Sequence, residues 1–152
     1  MYFEVIHMER AESLKHTEQD LVQVYECLCD VTRLRILNLL IHSPLCVCHI
    51  EAIIGGPQAR ISRHLAYLKG HQMVATKRYQ NWSIYQILSL HSPVLKLQLQ
   101  CLQDCTREMP VFREDEKKLR ELGKDIEWIG KFMGGKPFVA PAKGSECRSP
   151  SE

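Results

Sequence analysis

Seven cysteines stand in a chain of 152 residues, and their spacing is the first chemistry the sequence offers. Cys46 and Cys48 flank a single valine, Cys101 and Cys105 are four apart, Cys27 and Cys29 form another close pair, and Cys147 lies near the end. Thiolates are soft donors, so pairs of them favour thiophilic ions such as trivalent arsenic or antimony, where zinc or magnesium sites would add imidazole or carboxylate. At a helix amino end the dipole also lowers the thiol pKa and raises the thiolate fraction. Residues two apart on a regular helix do not face each other, so one ion held by both Cys46 and Cys48 has to distort the turn that carries them. Cys101 and Cys105, at i and i+4, share one face. Cys27 and Cys29 read as small, buried packing residues. An odd number of cysteines without an export signal reads as reduced cytoplasmic thiols or metal ligands, not as a disulfide framework.

The second chemistry is cationic. The net charge of +2 hides a segregation along the chain. Met1 to Glu51 carries 4 basic and 8 acidic residues; Ala52 to Gln103 carries Arg60, Arg63, Lys69, Lys77, Arg78 and Lys96 and no carboxylate; the remainder balances at 10 against 10. A compactly folded stretch of that kind presents an uninterrupted positive surface, which suits a phosphate backbone. The 45% hydrophobic and 25% charged composition excludes collagenous and wholly disordered classes. The charge-free run Ile36 to Ile50 is too short and too polar for a bilayer span.

The elements that must position these groups follow from pattern. Thr17 and Asp20 open a helix with Leu21, Val24, Tyr25 and Leu28 on one face, ending near Leu28. Asp30 caps a second, core helix, stopped at Ser43 and Pro44. A short third helix opens near Cys46 with Val47, Ile50 and Ile54 inward, and Gly55 and Gly56 end it. Pro57 starts a fourth, with Ile61, Leu65 and Leu68 on one face and Gln58, Arg60, Arg63, His64 and Tyr67 on the other. Val74 to Tyr79 and Trp82 to Leu88 form a hairpin about Gln80 and Asn81. Ser92 and Pro93 open a long helix whose apolar residues cover more than one face, a surplus that suits a second subunit. One last helix follows Pro110 and runs through Ile129. The expected organisation is an extension over 1–16, a folded domain over 17–130, and a tail over 131–152 that buries too little to fold.

Two short helices about a Gly-Gly-Pro turn, followed by a hairpin, are the parts of a winged helix-turn-helix, mainly α with a β-hairpin wing. With the fourth helix in a major groove, Gln58 and Arg60 reach base edges with Ser62, Arg63 and His64 alongside, and Lys77 and Arg78 on the wing meet backbone or minor groove. Asp30-Val-Thr-Arg-Leu-Arg-Ile-Leu, Leu45-Cys-Val-Cys-His-Ile, Ile61-Ser-Arg-His-Leu-Ala-Tyr-Leu and Lys77-Arg-Tyr-Gln-Asn-Trp-Ser-Ile-Tyr together resemble the arsenical-resistance repressors of the ArsR/SmtB family over Leu21 to Cys105. The resemblance implies a dimeric repressor bound to double-stranded operator DNA and released by a thiophilic ion. It departs at Gln72, where the family usually has Gly, at His49, where it often has Asp, and at Glu51, where arsenical repressors carry a third Cys.

The resulting expectation is a cytoplasmic homodimeric repressor that needs no cofactor to bind DNA and is induced by As(III) or Sb(III) on Cys46 and Cys48, with Cys101 and Cys105 as further ligands. The alternative keeps the fold and makes the signal cadmium, lead or thiol oxidation. An enzyme of thiol chemistry is disfavoured, because the chain has neither a Cys-x-x-Cys nor a glycine loop for a phosphate-bearing cofactor. A structural zinc module on the same four cysteines is the remaining reading.

Overall fold

The computed structural model describes residues 18–88 and 93–133. In chain order these form α1 (Glu18–Leu28), α2 (Val31–His42), β1 (Leu45–Cys46), α3 (Val47–Ile54), α4 (Gln58–Gly70), β2 (Val74–Tyr79), β3 (Trp82–Ile87), α5 (Pro93–Thr106), α6 (Pro110–Glu121) and α7 (Gly123–Met133). The expected extension, Thr17, Ser92 and the stretch of tail containing Cys147 lie outside the described residues.

Local chemistry accounts for the boundaries. Asp30 is extended at φ −140°, and its carboxylate accepts the N–H of Arg33 at 2.9 Å, an N-cap worth about 1 kcal/mol. Gly55 and Gly56 turn the chain between α3 and α4 at φ +80° and +88°. Gln72 takes φ +59° just before the wing, the left-handed conformation for which glycine is the usual residue, and Gln80 takes φ +50° in the hairpin turn. The hairpin pairs Val74 with Ile87 through Tyr79 with Trp82. One strand escaped the sequence pattern: β1 pairs antiparallel with β3, Leu45 to Tyr85 and Cys46 to Ile84, giving the order β1-β3-β2. Two residues carry no readable alternation, so only the partner strand reveals it. Helix α3 consequently begins after Cys46, which becomes its N-cap.

The core gathers Ile36, Leu37, Leu39, Ile50, Ile53, Ile61, Leu65, Leu68, Ile84 and Leu95. This is a winged helix-turn-helix, with α3 and α4 as the helical pair and the hairpin as wing. In α1, Val24 and Cys27 are buried, whereas Leu21 and Tyr25, expected inward, are 42% and 48% exposed. The single last helix expected after Pro110 is two helices, broken at Leu122–Gly123, and the second runs past Gly130 to Met133. No helix among the described residues is long and apolar enough to cross a membrane.

Helix α6 docks on α2 through a buried ion pair. Arg35 Nε and Nη2 each donate to Asp115 at 2.7 Å, a bidentate arrangement with the carboxylate only 1% exposed. Around it, Asn38 donates to Glu116 at 3.3 Å and accepts from Thr106, and Lys118 donates to the Ile53 carbonyl at 3.4 Å. Helix α7 then crosses the wing: Trp128 lies edge-on to Trp82 at 5.1 Å, and Phe132 lies edge-on to Tyr79 at 5.0 Å. His49, in the first turn of α3, is buried 6.0 Å from the Trp82 ring, and its Nδ1 has no hydrogen-bond partner among the described residues. Burial drives its pKa down to about 4, and the Asp125 carboxylate of α7 offsets this only in part.

Two predictions follow from this packing. Asp115→Asn, which strands the guanidinium, is expected to cost about 3 kcal/mol in urea unfolding, and Arg35→Met with Asp115→Leu recovers most of it. Because the folded state holds His49 neutral below its ordinary value of 6.5, stability is complete above that pH and falls as pH drops toward 4. The loss over that window is about 3 kcal/mol, and His49→Gln flattens the pH profile of the unfolding midpoint.

Candidate nucleic-acid interface and thiol sites

Helix α4 buries Ile61, Leu65 and Leu68. That face turns its polar residues outward: Arg60, Ser62 and Arg63 are exposed, and Gln58 and His64 are half-buried. Arg60 does not reach straight out; its Nη2 donates to Thr32 Oγ1 at 2.8 Å and draws it toward the start of α2. His64 Nδ1 lies 3.7 Å from Asp30 Oδ1. Burial works against the Asp30 charge, but the Arg33 N–H, the His64 ring and the Arg33 guanidinium together hold its carboxyl below the ordinary value. On the wing, Lys77 and Arg78 are exposed, with Lys77 Nζ over the Phe132 ring at 4.5 Å and Arg78 Nε donating to the Gln80 carbonyl at 3.3 Å.

Sequence reasoning passed over Arg33 as a functional residue. Its Nε and Nη2 donate to the carbonyls of Cys27 and Glu26 at 2.9 and 2.8 Å, and its guanidinium lies 4.3 Å from the centre of the Tyr67 ring. One side chain thus joins the end of α1, the start of α2 and the outer face of α4. Arg33, Arg60, Arg63, His64 and Tyr67 line a single cleft, to which three guanidinium groups bring positive charge. The only sequence signal was an arginine in the first turn after a capping aspartate.

The thiols fall into two environments. Cys46 is 3% exposed, and burial pushes its thiol up to about 12. The expected lowering by the helix amino end is therefore overturned here, because desolvation of the thiolate outweighs the dipole of the eight-residue α3. Cys48 is half-buried. Cys27 is buried, with its thiol pushed up to about 11 by burial, whereas Cys29, expected inside, is exposed. Cys101 and Cys105 are exposed on α5, with sulfurs 4.0 Å apart. The hydrogen bond to Cys101 holds the Cys105 thiol above its ordinary range. Among the described residues no three His, Cys, Asp or Glu side chains converge as a metal site. Cys46, Cys48, Cys101 and Cys105 therefore belong to two separate places, β1 with the start of α3, and the outer face of α5.

That outer face is apolar beside the thiols. Leu97 is 63% exposed on α5, Leu21 and Tyr25 are exposed on α1, and Gln98 Nε2 donates to the Tyr25 phenol at 3.2 Å, bracing the two helices.

The profile described as "Bacterial regulatory protein, arsR family" matches residues 30–76, from the α2 cap into the wing. The arsenic resistance transcriptional regulator ArsR2 of Pseudomonas putida is 39% identical over 66 residues, which are 42% of this chain and 56% of that protein. The chain thus spans little more than half of that relative's length. An uncharacterized HTH-type transcriptional regulator of Methanocaldococcus jannaschii is 36% identical over 67 residues, covering 43% of this chain and 75% of the relative. A homodimeric winged helix-turn-helix DNA-binding domain from Mycobacterium bovis superposes with a TM-score of 0.51 at 23% identity, over 65% of this chain and 86% of that one, a likeness of fold. With the Asp30-capped core helix, the helical pair and the first residues of the wing inside the matched span, the chain belongs to the arsR family of bacterial regulatory proteins.

Proposed function

We propose that this protein is a homodimeric repressor that holds operator DNA with α4 and the wing and lets go when trivalent arsenic or antimony is taken by its thiols. The observation that carries the reading is the Cys101–Cys105 pair, exposed and 4.0 Å apart on a helix face left open for a second subunit. Two sulfurs that close need little movement to share one soft ion. The chemistry runs from neutral thiols: As(OH)3 and two RSH give As(SR)2OH and two waters, so a raised Cys105 pKa is no obstacle. The arsenic-resistance relative supports the choice of ion. Cys46 and Cys48 remain the second candidate site, at the start of the helix that packs against α4.

Release follows by linkage, since an ion bound only in a state that misaligns the two reading helices must weaken DNA binding by the same factor. Helix α5 meets α1 at Gln98 and Tyr25, and Arg33 ties the end of α1 to Tyr67 on α4, so strain at the thiols has a packed route to the reading helix. A second reading, thiol oxidation as the signal, is favoured by the same exposed sulfurs 4.0 Å apart, which a two-electron oxidant joins as a disulfide.

Fluorescence anisotropy of the reduced protein on DNA from its own promoter tests the proposal. Affinity is expected to fall about a thousandfold or more between 50 and 200 mM salt if about six phosphates are neutralised, and a flat response would overturn DNA binding. Arg63→Gln is expected to lower the salt slope by about one phosphate per protomer. Arsenite is expected to release the wild type, while Cys101→Ser with Cys105→Ser stays bound. A double mutant that releases normally removes that pair and leaves Cys46 and Cys48, and release by cadmium or peroxide alone replaces the signal.

A further inference from the structure

The arsR-family match ends at residue 76, yet the protein builds α6 and α7 from residues 110–133 and lays them back over the matched part. What α7 covers is readable from strand register. Cys46 pairs with Ile84 and Ile84 with Lys77, so these three form one cross-strand row, and Trp82 with Tyr79 forms the next row on the same face. The side chains of α7 meet the second row and the Lys77 end of the first. Trp128 meets Trp82 and Tyr79 at 5.1 and 5.7 Å, and Phe132 meets Tyr79 at 5.0 Å and reaches Lys77, at the far end of the Cys46 row. At its other end, Asp125 acts on the charge of His49, one turn into α3.

We propose that α7 is a lid on the amino end of α3: it shuts the Cys46 thiol from solvent and grips the wing with the same side chains, so a soft ligand reaches Cys46 only when α7 has lifted. The hinge is Leu122–Gly123, where the chain breaks helix: Leu122 packs against the core, whereas a side chain at Gly123 would meet open space. Below the hinge the Arg35–Asp115 pair anchors α6. Above it, α7 stays down through the buried Ile126, Trp128 and Ile129 and through its ring contacts with the wing. Occupation of Cys46 and closure of α7 then exclude one another. A ligand there releases the wing, including Lys77, from its support at the same moment. Cys101 and Cys105 lie outside this control and are open at all times. The inference rests on the thiol-sensor reading only for its consequence at DNA; the lid itself is independent of it.

Thiol labelling of the full, reduced chain with N-ethylmaleimide, read cysteine by cysteine by mass spectrometry, tests the lid. In the wild type Cys101, Cys105 and Cys29 are expected to react fast, and Cys46 and Cys27 slowly. Trp128→Ala is expected to speed Cys46 by about tenfold or more and leave Cys27, buried between α1 and α2, at its slow rate. Hydrogen exchange on the same sample reports whether α7 has loosened; loosened α7 amides with Cys46 still slow would overturn the proposal. Should Cys27 accelerate with Cys46, the variant has opened globally and the wild type decides in low urea. There Cys46 labelling and α7 exchange must rise together before Cys27 moves, and Cys46 tracking Cys27 overturns the lid. Arsenite added to the wild type is expected to deprotect α7 amides. Absence of any arsenite binding would sink the sensor reading and leave the labelling result standing.

Discussion

The bidentate pair between Arg35 and Asp115 is the constraint on which the arrangement of this protein depends. A carboxylate 1% exposed cannot stay ionised away from water without a charge partner and hydrogen bonds to both oxygens. Only one register of α6 on α2 supplies them, and Asn38, Glu116 and Thr106 interlock in that same register. With α6 so placed, the break at Gly123 directs α7 across the wing, and the ring contacts among Trp128, Phe132, Tyr79 and Trp82 follow. A pair of this kind is weak evidence for stability but a strong determinant of which docking is allowed.

Solvent exposure separates the cysteines more sharply than their spacing does. Cys46 lies in a paired strand at a helix start, and burial raises its thiol to about 12. Cys101 and Cys105 differ only in lying on a helix face that the protomer leaves bare, and there two sulfurs stand 4.0 Å apart. On the proposed reading the two places have different duties: an open pair beside the dimer face, and a covered thiol whose occupation competes with the closure of α7.

Arg33 gives the reading head its mechanical connection. Holding the last carbonyls of α1 while lying on Tyr67, it ties the orientation of α4 to the position of α1. Arg60, drawn back to Thr32, belongs to the same assembly, so the polar face of α4 is partly committed to structure before any DNA is met.

Much of this was legible in the residues themselves. The Asp30 cap, the Gly55–Gly56 turn, the inward set Ile61, Leu65 and Leu68, and the hairpin about Gln80 are local or periodic signals, and each appears where those signals put it. The same holds for the surplus apolar face of α5, because a helix cannot hide more sides than its neighbours cover. Other features depended on partners far along the chain. Strand β1 exists only because β3 lies beside it, the last helix breaks where α6 and α7 take different supports, and Leu21 and Tyr25 stay outside because α5 meets α1 at its flank. The thiol chemistry divides in the same way. Spacing determined which cysteines are neighbours, but their pKa and access are set by what the tertiary structure removes from water, and desolvation at Cys46 outweighs the local helix dipole that sequence can read.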